Sequence, residues 1–387
     1  MSRLLVEGAF EVLVKARALE AQGRSIIHLE IGEPDFATPP NVVAAAKKAL
    51  DEEWTHYGPT QGYPDFREVI ARHVGGTRNI DVTPDMVSVV PGGKPVIFFP
   101  MLALLEPGDE VIYPNPGFPI YESVIKFSGA TPVPIRLKEK NGFAFDADEV
   151  LAQITPRTRL IIVNSPANPT GGVVPRAQFD KLVAGLERHP HVAIMSDEIY
   201  GQMLYDGREH VSLLGYPQIR DRLILLDGWS KTYAMTGWRL GYSVWPKTLI
   251  DHATRLAINC HSCVNASAQF AGIAALTGPQ EPVAKMVAAF AERRKVVIAE
   301  LNAIPGFRCV EPGGAFYAFP NVSGTGFTSR QLEAKLLEEA GVATLSGTSF
   351  GAEGEGFLRF SYANSLENIR AAMDRIRACL AQQKAIA

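Results

Sequence analysis

Three apolar runs in the middle of the chain end on polar residues that serve no evident structural purpose. "LIIV" leads into "NSPANPTGG" (164–172), "VAIM" into "SDEIY" (196–200) and "LILL" into "DGWSK" (227–231). In an open parallel sheet, ligands bind outside the carboxyl ends of the strands. These endings therefore set Asn168, Asp197, Tyr200, Ser230 and Lys231 around one crevice. The set holds one amine nucleophile, one carboxylate and hydrogen-bonding side chains, and Arg239 follows shortly after. No Ser-His-Asp set and no metal-ligand cluster competes with it. A fourth run, "VVPGGKPVIFF", turns through Gly92, Gly93 and Lys94 into a predicted helix. Its backbone N–H groups can face a phosphate, aided by the helix dipole. The pattern is neither a P-loop nor G-x-G-x-x-G, and alone it is as readily a plain turn. Ser230 and Arg239 also suit a phosphate, arginine through its two-pronged geometry.

An amine, a phosphate cradle and a strand-end carboxylate together point to pyridoxal phosphate. That cofactor performs the organic chemistry, while the protein orients it and tunes its electronics. A carboxylate holds the proton of the pyridine nitrogen through a charge-assisted hydrogen bond, worth about 1.5–3 kcal/mol. The lysine must be a neutral amine once displaced, and burial among apolar residues lowers its pKa in that direction.

The elements that must carry these residues are legible as a pattern. "MVSVV" (86–90), "EVIYP" (110–114), "RLIIVN" (159–164), "VAIMSD" (192–197) and "RLILLDG" (222–228) are predicted strands, apolar on both faces as in a sheet covered by helices on either side. A helix is predicted over about 5–22. Helices are also predicted over "TSRQLEAKLLEEAG", with Thr328 or Ser329 as N-cap and Gly341 past its end, and over "NSLENIRAAMDRIRACLAQQ", with Ser365 as N-cap. "GFLRFSYA" is a predicted strand between them. The last third reads as a separate α+β unit, against which the N-terminal helix and "SIIHLEIG" are expected to pack.

Composition narrows the classes. The 387 residues are 47% hydrophobic and 20% charged, enough for a large buried core. A net charge of −3 gives no general attraction to nucleic acid or an anionic membrane. Glu7, Glu11 and Lys15 interrupt what would be a signal-peptide core, and the apolar run Pro95–Leu105 is too short to span a bilayer. A cytoplasmic enzyme is expected. Four cysteines make no disulfide scaffold; Cys260 and Cys263 form a lone C-x-x-C without a second ligand pair, so no metal is expected there.

Eight motifs then carry a resemblance. "GEPDFATP" (32–39), "YGPTQGYPDFRE" (57–68), "PGDEVIYPNPGFPIYES" (107–123), "NSPANPTGG", "SDEIYGQMLYDG" (196–207), "SKTYAMTGWRLGY" (230–242), "GGAFYAFPN" (313–321) and "LRFSYANSLENI" (358–369) run in order along nearly the whole chain. They resemble the class I/II aminotransferases, in the aspartate aminotransferase branch of fold type I. The resemblance implies an α/β fold: a large domain with a mostly parallel seven-stranded sheet flanked by helices, plus a smaller α+β domain. The expected division is 1–45 as N-terminal arm and part of the small domain, 46–280 as the large cofactor domain, and 281–387 as the small domain. It implies Lys231 as the Schiff-base lysine and proton shuttle, Asp197 on the pyridine nitrogen, and Asn168 with Tyr200 on the ring hydroxyl. Gly93, Lys94, Ser230 and Arg239 match the phosphate cup, with Tyr57 reaching it from the neighbouring subunit of a homodimer. Arg359 matches the arginine that grips the substrate α-carboxylate, and Gly32 a backbone contact beside it. Phe118 stands where the family usually has Trp or Tyr on the ring, which keeps an aromatic face and loses a polar edge.

The expected activity is amino transfer from an L-amino acid to a 2-oxo acid, 2-oxoglutarate first, with ping-pong kinetics. A β-lyase, decarboxylase or synthase on the same scaffold is the alternative, and Arg359 does not separate them because all bind an amino-acid carboxylate. A DNA-binding regulator on this fold would need a helix-turn-helix domain, for which the 31 residues before "GEPDFATP" leave no room. No second cation for a distal carboxylate stands out, with Arg255, Lys15 or a residue of the other subunit as candidates; aspartate is the donor the resemblance implies by default, a neutral or apolar donor is equally expected, and Glu11 is placed to favour a cationic donor. His28, His56 and His261 are expected to pack rather than react.

Overall fold

The computed structural model describes residues 3–5 and 7–384. The chain starts with α1 (Gly8–Ala21) and a two-residue strand, β1 (Ile27–His28), followed by α2 (Pro40–Asp51) and α3 (Pro64–Arg78). Both α2 and α3 open on proline, whose fixed φ suits a first turn where its missing N–H has no partner to lose. The central sheet is built from β2 (Val87–Val90), β3 (Glu110–Asn115), β4 (Thr131–Arg136), β5 (Thr158–Asn164), β6 (Ala193–Asp197), β7 (Leu223–Gly228) and β8 (Gly241–Val244). Between them lie α4 (Lys94–Leu104), α5 (Pro119–Ser128), α6 (Ala147–Ala152) and α7 (Arg176–Leu186). The spatial order is β2-β8-β7-β6-β5-β3-β4. Only β8 runs against the direction of the other six. The expected seven-stranded, mostly parallel sheet is present, and the five predicted strands fall within a residue of their expected bounds. Two of the seven, β8 and the edge strand β4, lie outside the predicted set; β4 carries Pro132 and Pro134, whose missing N–H groups an edge tolerates.

Ile161, Val163, Ile194 and Leu225 face one core, while Leu160, Ile162, Met195 and Leu226 face another. Burial on both sides is why these strands read as continuous apolar runs. Asn164 pairs in register with Asp197, and Asp197 with Leu226, so β5, β6 and β7 end level. The loops that follow leave from one edge.

After β8 come α8 (Ile250–His261), α9 (Ala266–Thr277), α10 (Glu281–Asn302), β9 (Tyr317–Ala318), α11 (Ser329–Lys335), β10 (Val342–Ala343), β11 (Leu345–Ser346), β12 (Leu358–Ser361) and α12 (Leu366–Lys384). The helix expected over "TSRQLEAKLLEEAG" is shorter than predicted. A Thr328–Gln331 capping box starts α11, and its continuation over 336–340 widens into a π turn before Gly341 at φ +64. A Cβ on Gly341 would stand 2.6 Å from the Ser25 carbonyl oxygen, so glycine also lets the chain close on the segment before β1. There β1 pairs in parallel with β10, while β12 lies antiparallel between β11 and β9. A third core joins Ile27 and Leu29 to Phe290, Phe316, Phe360 and Met373, and Tyr200 and Met203 beyond β6 belong to it. Among the described residues no helix is long and apolar enough to cross a membrane.

Candidate active site

The level strand ends meet β9, β12 and the turn at Gly32. At the centre, Lys231 Nζ donates to the Gly32 carbonyl oxygen at 2.5 Å and lies 5.9 Å from the centre of the Phe316 ring. Asp197 ends β6 fully enclosed. Its Oδ2 accepts from the Tyr121 hydroxyl at 2.6 Å, and its Oδ1 from the Ile199 N–H at 3.2 Å. Asn164 stitches the neighbouring strand ends: its Oδ1 accepts from the Asn168 N–H at 3.0 Å, and its Nδ2 donates to the Asp197 carbonyl at 3.1 Å. Asn168 Oδ1 accepts from Arg359 Nη1 at 2.9 Å. Arg359, on β12, is buried with its guanidinium 4.6 Å from the Tyr317 ring centre and 4.8 Å from that of Phe350. Its Nη2 donates to the Glu30 carbonyl, and its Nε is buried without a partner. Tyr200 meets Tyr317 hydroxyl to hydroxyl at 2.7 Å.

Arg239 marks the other pole. Its backbone is left-handed at φ 53, and Nη1 donates to the Thr236 carbonyl at 2.8 Å. A Cβ on Gly92 would stand 2.1 Å from Arg239 Nη2, so the guanidinium lies where only glycine leaves room. Among the described residues no carboxylate pairs with this arginine. Ser230 is buried beside Lys231. Lys94 opens α4 with its amine 2.5 Å from Glu7 Oε1, so this predicted phosphate residue already holds a carboxylate, while a Cβ on Gly93 would stand 3.3 Å from the Leu226 side chain. Tyr57 is 90% exposed beside a groove of about 430 Å³, and Phe118 packs edge-on against Tyr121.

The sequence profile described as aminotransferase class I and II matches residues 24–376. An aspartate aminotransferase of Pyrococcus horikoshii is 41% identical over 93% of this chain and 92% of its own. An aspartate/prephenate aminotransferase of Cereibacter sphaeroides is 39% identical over 98% and 97%. The chain belongs to the class I and II aminotransferases. The crystal structure of the aspartate aminotransferase from Rhizobium meliloti superposes with a TM-score of 0.94 at 35% identity, covering 98% of both chains. The expected fold type is therefore present.

Class I and II aminotransferases depend on pyridoxal phosphate, and the electrostatics of this aminotransferase suit that group. Over the whole residue Lys231 is only half-buried, yet its amine is enclosed, and the amine is what matters for chemistry. That burial, with the nearby Arg359 charge, pushes its pKa down to about 8. Burial lifts the Asp197 carboxyl to about 6, opposed by the hydrogen bonds from Tyr121 and Ile199. Burial also lowers the Arg359 pKa, against the pull of Tyr317, Tyr200 and Glu30. An enclosed amine, a buried carboxylate, a guanidinium with an orphan N–H and an arginine set on a glycine turn are a donor set that fits the cofactor and an amino-acid carboxylate.

Two residues at this aminotransferase's site escaped the sequence reading. Tyr121 and Tyr317 both lie inside quoted motifs, but nothing local shows what their hydroxyls touch. The acids whose charge acts on the site are Glu33 and, more weakly, Glu7 on Lys231, and Glu30 and then Glu7 on Arg359, whereas Glu11 is exposed on α1. His28 bridges Glu20 at 3.0 Å and Glu30 at 2.7 Å, and no metal-binding cluster involving Cys260 or Cys263 occurs among the described residues.

Proposed function

We propose that this aminotransferase moves the amino group of an L-amino acid to 2-oxoglutarate in two half-reactions, with Lys231 holding the cofactor between turnovers. The observation that carries the reading is the enclosed Lys231 amine, its pKa depressed by burial and by the charge of nearby Arg359, whose own Nε is buried without a partner. Pyridoxal phosphate supplies an electron sink for the carbanion left when the substrate loses its Cα proton. Lys231, as a neutral amine, would be the group that takes up and gives back that proton at its Nζ; well-oriented proton transfer contributes about 10²–10⁴-fold. Asp197 holds the ring nitrogen's proton, and a positive charge there would draw its carboxyl back into the ionised form. Asn168 and Tyr200 act on the ring hydroxyl. Arg359 orients the substrate carboxylate, with Gly32 beside it, and so fixes which Cα bond is broken. Ser230 and Arg239 would receive the phosphate together with the backbone N–H groups of Gly93 and Lys94, whose amine is held by Glu7, and Phe118 would cover the ring.

The reading includes a cytoplasmic homodimer in which Tyr57 reaches the partner's phosphate site. The 90% exposure of Tyr57, with Trp54 at 40%, supports it. Aspartate is the first donor to try, because the relatives named above carry that name. The test is a donor panel at fixed 2-oxoglutarate with the cofactor spectrum followed. Donor alone should convert the cofactor to its amine form, and 2-oxo acid should reverse it. Release of pyruvate, ammonia or carbon dioxide without that conversion would favour a lyase, decarboxylase or synthase and sink the transaminase reading.

A further inference from the structure

We propose that Tyr317 is a positioning residue: its hydroxyl donates to Tyr200 and thereby sets how tightly the Lys231 nitrogen holds its proton in the holoenzyme. The inference rests on the roles of Tyr200 and Lys231 given above. The two hydroxyl oxygens are 2.7 Å apart and buried, one on the loop after β6 and the other on β9. A phenol has one proton to give. If Tyr200 donates it to the cofactor's ring oxygen, only Tyr317 can supply the proton of the 2.7 Å bond. The order of donors is then fixed as Tyr317 to Tyr200 to cofactor.

Such chains strengthen each link, because a hydroxyl that accepts a hydrogen bond becomes a better donor. Arg359 adds to this: its guanidinium lies 4.6 Å from the Tyr317 ring centre, drawing charge from the phenol. The Tyr317 hydroxyl is also held in position. A Cβ at residue 32 would stand 2.2 Å from it, so Gly32 leaves the space it occupies, and the Tyr317 ring itself packs with its centre 4.8 Å from that of Phe316. The charged and titratable groups around the pair are Arg359 and Asp197 on Tyr200, and Arg359 on Tyr317. A donor on the ring oxygen spreads its negative charge, which lowers the attraction felt by the proton on the Lys231 nitrogen. Removing the Tyr317 hydroxyl therefore raises that proton's midpoint.

The experiment is a pH titration of the visible band of four holoenzymes: wild type, Tyr317→Phe, Tyr200→Phe and the double variant. Tyr200→Phe should raise the midpoint by about one unit or more, and Tyr317→Phe by about half a unit, roughly threefold in proton affinity. The double variant should match Tyr200→Phe, because Tyr317 acts only through Tyr200. A midpoint for Tyr317→Phe equal to wild type overturns the inference and leaves the site reading standing. So does a Tyr317→Phe shift that persists undiminished in the Tyr200→Phe background. No shift in Tyr200→Phe overturns both. A purely structural role would lower the unfolding temperature of Tyr317→Phe and leave the midpoint in place.

Discussion

Replacing Glu198 by alanine removes the acceptor at the centre of a buried ion cluster directly behind Asp197. Its Oε2 accepts from Arg78 Nη2 at 2.8 Å, Arg78 Nε at 3.1 Å and His210 Nε2 at 2.7 Å; its Oε1 accepts from Ser212 at 2.7 Å and Ser196 at 2.9 Å. The side chains of Glu198 and Arg78 are 2% and 6% exposed, so neither charge can turn to water in place. Breaking a pair buried to this degree costs about 3–5 kcal/mol, because the remaining ion is left uncompensated. Here Arg78 keeps Asp227 Oδ2 at 3.2 Å, which places the expected loss near the lower end, about 3 kcal/mol. Glu198→Gln keeps one oxygen toward Arg78 and loses the charge; about 2 kcal/mol is expected. Replacing both partners, Arg78→Met with Glu198→Leu, should recover most of the loss, since no charge is then stranded. The assay is equilibrium urea unfolding of holoenzyme at pH 7 and one fixed protein concentration. Burial raises the Glu198 pKa, but Arg78 and His210 prevail and hold it down to about 2. Its stabilising effect is therefore present above the ordinary carboxylate range and lost as pH falls toward 2, so the alanine penalty should shrink below about pH 4.5. A penalty under about 1 kcal/mol at pH 7 would refute the reasoning, showing that Arg78 finds other partners without cost.

Other consequences can be checked with simpler measurements. In the cofactor-free protein, Lys231 should react with an acylating reagent with a midpoint near 8; a midpoint near that of an ordinary lysine contradicts its enclosure. The same depression means that this group favours the native state above the ordinary lysine pKa and that the contribution fades as pH falls through about 8. Arg359→Ala should lower kcat/KM for the amino donor by about thirty- to several-thousand-fold, the equivalent of about 2–5 kcal/mol, and unchanged kcat/KM would remove it from the substrate site. Gly92→Ala sets a Cβ 2.1 Å from Arg239 Nη2 at φ +84 and should weaken cofactor binding about tenfold or more. Gly142→Ala, at φ +61 with nothing within 4 Å, carries the backbone cost alone and should leave cofactor affinity unchanged, as measured by reconstitution of the apoenzyme.

The sheet was readable because each strand's signal is local. "RLIIVN" and "VAIMSD" are short, apolar on both faces and end on polar residues, and these features alone locate the strands and the edge from which ligands are met. β4 was not readable, since its two prolines argue against a strand until the fold sets them on an edge. The π turn after α11 was likewise hidden, because Leu336 and Leu337 continue the apolar periodicity while the closing contact, Gly341 against Ser25, lies far away in the chain.

The sequence by itself determined that a lysine, an aspartate, an asparagine and a tyrosine stand at the ends of adjacent strands, and eight ordered motifs determined the family. Only the tertiary structure decided what those side chains touch. Tyr121 meets Asp197 across 76 positions, Tyr200 meets Tyr317 across 117, and Asn168 meets Arg359 across 191. Spacing carries information only within a helix turn or a strand pleat, over a few residues. Pairings at these separations come into being when level strand ends, β9 and β12 are packed together. The charge states they produce, including the enclosed amine of Lys231, therefore belong to the folded molecule alone.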